Sequence, residues 1–130
     1  MPNVIRITPV LAVKDVAAAV TFFTTVLGFT ALLHRRDYAY VERDGVAFRI
    51  LEAADAPYGN RRFAHYIEVR DVDALYAEFK PQLDGMPSAD VYGPVDQSYG
   101  QRELLVLAPD GNLIAFGQPI GPRGADGALR

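Results

Sequence analysis

Residues 11–23, LAVKDVAAAVTFF, return 56 positions later as residues 67–79, IEVRDVDALYAEF. The register puts Val13 on Val69, Asp15 on Asp71, Val16 on Val72, Ala18 on Ala74 and Phe23 on Phe79, five identities in thirteen. Lys14 falls on Arg70 in the same alignment. Any strand-to-helix junction shares some of this pattern, because an aspartate N-cap and an apolar helical face are general requirements. A second correspondence makes duplication the better account: Arg43-Asp44-Gly45-Val46 and Pro109-Asp110-Gly111-Asn112 each set an Asp-Gly turn before a late strand. A chain of 130 residues built from two similar halves leaves each half too small to enclose a core alone.

The pattern along the chain fills in each half. Residues 5–13 are apolar and β-branched and predict a strand, with Pro9 marking a place where ladder pairing changes. Asp15 predicts an N-cap, Val16, Ala19, Val20, Phe23 and Leu27 one helical face, and Gly28 a left-handed stop. Residues 30–34 and 38–42 predict one or two strands, and the Arg43-Asp44-Gly45 hairpin leads into a further strand at 46–51. Residues 53–62 predict a loop. The order then restarts: a strand at 63–69, a helix capped by Asp71, and Pro81 at or just beyond its end. Residues 84–102 predict a long loop holding a short strand near Val91. Strands at 103–107 and 112–117 close the second half, and the Pro/Gly-rich tail 119–130 predicts disorder.

This order, together with Phe22-Phe23-Thr24-Thr25-Val26-Leu27-Gly28-Phe29, Tyr99-Gly100-Gln101-Arg102-Glu103 and Ala108-Pro109-Asp110-Gly111-Asn112, resembles the vicinal oxygen chelate superfamily. That superfamily includes glyoxalase I, extradiol dioxygenases and fosfomycin- and bleomycin-resistance proteins; the combined motifs look most like the bleomycin-resistance branch. The resemblance implies an α+β fold of two βαβββ modules, about 5–52 and 63–118, forming one domain with a curved, antiparallel-rich cup. It also implies a homodimer in which the N-terminal strand crosses to the partner, a role for which Pro9 is suited.

Enzymes of that superfamily hold a divalent metal with one ligand from each of four strands. Carried over by motif spacing, the four positions are Thr8, Arg49, Ala64 and Ala115. None is a His, Glu, Asp or Gln, and arginine would repel the ion. His65 stands one residue from a ligand position, which on a strand turns it to the opposite face. The expectation is therefore no metal and no cofactor. With no cysteine, no nucleophile elbow and no P-loop, the chain is read as a ligand-binding protein rather than an enzyme.

Strand alternation from the same four positions points Val10, Ala12, Ala47, Leu51, Tyr66, Glu68 and Leu113 into the hollow, and Leu11, Val13, Ile67 and Val69 toward the helices. Tyr38, Arg49, Tyr58, Tyr66, Glu68, Tyr99 and Glu103 are the candidate ligand-binding residues. Seven tyrosines offer faces to planar rings and cations, and 16 acids against 13 bases give a mildly negative field. The expected function is metal-independent binding and sequestration of a small aromatic compound, a cationic one such as a bleomycin-type antibiotic included. The alternatives are a metal-dependent lyase, isomerase or dioxygenase of the same superfamily, or a metabolite-binding module with no resistance role. A net charge of −3 argues against nucleic acid as partner, and no apolar run approaches a membrane span, so the expected location is the cytoplasm.

Overall fold

The computed structural model describes residues 2–53 and 63–121. Tyr58 and residues 122–130 of the tail lie outside those residues. The chain divides into two compact units, Met1–Arg61 and Arg62–Arg130.

In the first unit β1 (Val10–Val13) leads into α1 (Val16–Thr25), followed by β2 (Thr30–His34), β3 (Tyr38–Arg43) and β4 (Val46–Glu52). The sheet order is β1-β4-β3-β2, with β1 parallel to β4 and the remaining pairs antiparallel. The second unit repeats this as β5 (Phe63–Glu68), α2 (Val72–Leu83), β6 (Val91–Asp96), β7 (Gln101–Leu107) and β8 (Asn112–Pro119), in the order β5-β8-β7-β6. Each unit is thus a βαβββ module with a four-stranded mixed sheet.

The repeated residues do the same work in both units. Asp15 Oδ1 accepts from the Ala18 amide at 3.1 Å, and Asp71 Oδ1 from the Ala74 amide at 3.0 Å. Each cap satisfies an amide that the helix's first turn leaves without a partner. Asp44 and Gly45 have φ of 52° and 82°, and Asp110 and Gly111 have 64° and 78°, the left-handed backbone that an Asp-Gly pair accepts at low cost. Under the first sheet Phe23 packs against Phe29 and Phe48 at centroid distances of 5.4 and 5.2 Å. Under the second, Phe79 of α2 meets Phe116 of β8 at 5.4 Å. Leu11, Val13, Ala39, Val41 and Ile50 complete the first core, and Leu104, Val106 and Ile114 the second, all buried.

Three element boundaries differ from the sequence expectation. Only Val10–Val13 of the stretch 5–13 is strand. Pro9 has no amide for a ladder, and although its carbonyl accepts from Arg49 N at 2.9 Å, Val4, Ile5 and Ile7 before it are 87%, 78% and 92% exposed. Pro81 lies inside α2, which runs on to Leu83. It is tolerated because the carbonyl it leaves without a helical donor belongs to the exposed Ala77, within reach of water. The stretch 84–102 is mostly structured: a 3-10 turn at Ser88–Asp90 feeds the six-residue strand β6. Its Gly93-Pro94 pair sits at the register shift between Tyr92 and Val95, which hid the strand from a reading by alternation.

Candidate functional site

Each sheet turns one face to its helix and presents the other. In the second unit Tyr66 pairs with Ala115, Glu68 with Gly117, Glu103 with Gly117 and Leu105 with Ala115. Alternation therefore gathers Ala64, Tyr66, Glu68, Glu103, Leu105, Leu113, Ala115 and Gly117 on the face away from α2.

The centre of that face is a carboxylate. Glu103 is only 5% exposed, yet it accepts a hydrogen bond from the Tyr99 hydroxyl at 2.7 Å and a second from the Tyr66 hydroxyl. Two phenolic donors satisfy the hydrogen-bonding capacity that burial would otherwise leave unmet on this side chain. Both phenols are held in the neutral form. Desolvation of the hydroxyl end raises the Tyr66 pKa first, and the Glu103 hydrogen bond and charge add to it. For Tyr99 the hydrogen bond to Glu103 is the leading cause. Tyr66 as a whole is 50% exposed, as is Tyr99, so their rings remain open while their hydroxyls point inward.

Gly117 makes this possible. A Cβ built on it would lie 1.7 Å from the Tyr66 hydroxyl oxygen and 2.3 Å from Cζ. The phenol passes directly over Gly117, whose registered neighbours are Glu68 and Glu103, to reach Glu103. Sequence reasoning missed Gly117; its signal is a glycine inside a late strand, which often marks close approach of another group.

The first unit has a different arrangement. Arg49 of β4 is registered between Val10 of β1 and Tyr40 of β3. Its guanidinium carbon lies 5.1 Å from the Tyr40 ring centroid, and its Nη1 donates to the Tyr38 hydroxyl. Of the candidate residues, the structure thus joins Tyr66, Tyr99 and Glu103, with Glu68 contributing charge near Tyr66, and separately joins Tyr38 and Arg49. Tyr40 is the stacking partner that sequence alone did not assign to Arg49.

The four motif positions fit no divalent ion by their donor chemistry. Thr8 lies outside any strand, Arg49 is a cation, and Ala64 and Ala115 have no donor atom. Among the described residues no group of three or more His, Cys, Asp or Glu side chains stands close enough to share a metal. His65 pairs with the fully buried Ile114 and alternates with Tyr66, which places it on the α2 side of the sheet. Burial lowers its pKa.

Two βαβββ modules, each with a four-stranded mixed sheet, define a glyoxalase-type fold. The chain belongs to the Glyoxalase/Bleomycin resistance protein/Dioxygenase superfamily, whose family model matches residues 5–116. It is 29% identical over 128 residues to bleomycin resistance proteins of Geobacillus stearothermophilus and Staphylococcus aureus, covering 86% of this chain and 95% of theirs. Among solved structures it is similar to the bleomycin-binding protein of the bleomycin producer Streptomyces verticillus, complexed with copper(II)-bleomycin. That match has a TM-score of 0.74 and 30% identity over 94% of this chain and 100% of that one. A lactoylglutathione lyase of Agrobacterium tumefaciens shares the fold at a TM-score of 0.66 and 19% identity, covering 90% of this chain and 94% of that one.

Proposed function

We propose that the protein binds and sequesters a small aromatic, cationic compound of the bleomycin type without metal, breaking no bond in it. One observation carries this: a buried carboxylate, Glu103, clasped by the hydroxyls of two tyrosines whose rings stay half exposed. Open phenol faces suit a planar ring, and the charge beneath them attracts a cation. Glu68 adds a second acid on the same face. The likeness to bleomycin resistance and bleomycin-binding proteins supports the same ligand class. Tyr38 and Arg49 are proposed as ligand contacts of the first unit, and Tyr58 as a contact from outside the described residues.

The protein is further proposed to act as a cytoplasmic homodimer. Among the described residues no helix is long and apolar enough to cross a membrane. The exposed Val4, Ile5 and Ile7 form an extended apolar strip with no strand partner among the described residues, suited to pairing with a second copy.

The test is titration of the protein with metal-free bleomycin and with 1-methylpyridinium, followed by tyrosine fluorescence and calorimetry. The expected result is saturable binding of both, weakened at least about tenfold by Glu103→Gln, with bleomycin recovered chemically unchanged. Absence of saturable binding, or a modified drug, would overturn the proposal.

A further inference from the structure

The first unit's open sheet face carries a guanidinium, which meets an anionic or flat part of a ligand rather than a cationic one. We infer that Arg49 forms an oxyanion subsite on that face, suited to a carboxylate attached to a flat ring. This goes beyond the cationic-ligand reading and rests on the first unit alone.

Most residues sharing Arg49's face are neutral, Glu42 opposite Ala47 being the acid among them. The registered partners of Arg49 are Val10 and Tyr40; along its own strand the same-face neighbours are Ala47 and Leu51, and Ala12 pairs with Leu51. The nearby acids are engaged elsewhere. Glu42 Oε1 accepts from the Gly45 amide at 2.6 Å, and Glu52 pairs with Arg36 at 3.6 Å. Among the described residues no carboxylate forms an ion pair with Arg49. A guanidinium that only required hydration would be free to leave the sheet. Here the Tyr40 ring lies against it and the Tyr38 hydroxyl takes one of its N–H donors. Those contacts restrict its rotamers before any ligand arrives, so less freedom is lost on binding.

The remaining N–H donors form a planar fork that matches the two oxygens of a carboxylate. The surroundings then choose what the carboxylate is attached to. Tyr40 and the guanidinium plane offer flat contacts, while Val10 and Leu51, 51% and 41% exposed, offer apolar ones. An aromatic acid satisfies all of these. A simple hydrated anion uses only the fork.

The experiment is a titration of the full chain with benzoate, and with benzyl alcohol as its uncharged analogue, read by NMR and calorimetry at low salt. Wild type is expected to bind benzoate saturably and benzyl alcohol about tenfold more weakly. Arg49→Met should weaken benzoate about tenfold or more, and Arg49→Lys, which keeps the charge without the fork, should fall between. Arg36→Met removes the same charge from an exposed ion pair and should change benzoate affinity less than about twofold. Equal losses in the Arg49→Met and Arg36→Met chains, full benzoate affinity in Arg49→Met, or no saturable benzoate binding would each overturn the inference. Titration of the same chains with 1-methylpyridinium keeps the two ideas apart. Failure of the pyridinium alone defeats the cation reading, and failure of benzoate alone defeats this one.

Discussion

Replacing Gly117 by alanine tests the acid–tyrosine cluster with one methyl group. Gly117 lies in β8 and has no positive φ, so alanine can adopt its backbone. The added Cβ falls 1.7 Å from the Tyr66 hydroxyl oxygen, where ordinary contact starts at 3.4 Å. The phenol must therefore retreat by about 1.7 Å, beyond the few tenths of an ångström that a hydrogen bond to Glu103 tolerates. Losing that bond at a half-exposed residue costs about 1 kcal/mol, and removing a glycine from a strand returns roughly 0.5–1 kcal/mol. Folding stability measured in urea should thus change by less than about 1 kcal/mol. Binding should suffer more than folding, because the ring moves away from Glu103 together with its hydroxyl. A stacking contact worth roughly 0.5–1.5 kcal/mol corresponds to a threefold to tenfold loss of affinity for 1-methylpyridinium. Ultraviolet titration of the phenols should show Tyr66 ionising closer to its ordinary pH. A folded Gly117→Ala chain with unchanged pyridinium affinity and an unchanged Tyr66 titration would refute the placement of this ring.

Glu103→Gln should separate the causes that hold Tyr66 and Tyr99 neutral. Tyr99 should lose most of its upward shift, which is led by the Glu103 hydrogen bond, while Tyr66 keeps the part due to desolvation. Because both shifts are upward, these phenols stabilise the fold below the ordinary tyrosine pKa of 10.0 and lose that contribution as pH rises through their folded values. His65 works in the opposite range: its pKa is lowered, so the unfolded chain takes up protons first as pH falls below 6.5. Urea unfolding should show stability falling as pH drops below 6.5, and a His65→Phe chain should show a smaller fall. Ile5→Asp with Ile7→Asp should shift light-scattering mass toward the monomer and leave each unit's circular dichroism intact; an unchanged mass would refute pairing through this strip.

Much of the fold was legible because the two halves check each other. The caps at Asp15 and Asp71, the Asp-Gly turns and the helix-facing apolar rows obey local rules that act over three or four residues. What escaped was set by tertiary contact or by interrupted periodicity. β6 carries Gly93-Pro94 at a register shift, so its alternation fails there. Tyr66, Tyr99 and Glu103 could be named singly as candidates, and parity could place Tyr66 on the open face. That Tyr66 crosses a glycine 51 positions later depends on strand register, which no local pattern encodes.

The repeat explains why the two open faces differ. The 56-residue shift carries Val10 onto Tyr66, and each occupies the same rung of its parallel ladder, Val10 opposite Arg49 and Tyr66 opposite Ala115. On both rungs a large side chain stands across from a smaller one, but the large one comes from β4 in the first unit and from β5 in the second. The backbone is conserved by the exchange because the volume above each rung is filled from one side only. Chemistry is not conserved: one face acquires a guanidinium braced by tyrosines, the other a phenol braced by a carboxylate. Arg49→Ala combined with Val10→Tyr would rebuild the second unit's rung in the first. If rung occupancy alone sets the chemistry of each face, that double variant folds with stability near the wild type and loses benzoate binding. A double variant that fails to fold would show that Tyr38 and Tyr40 need the guanidinium for their own placement.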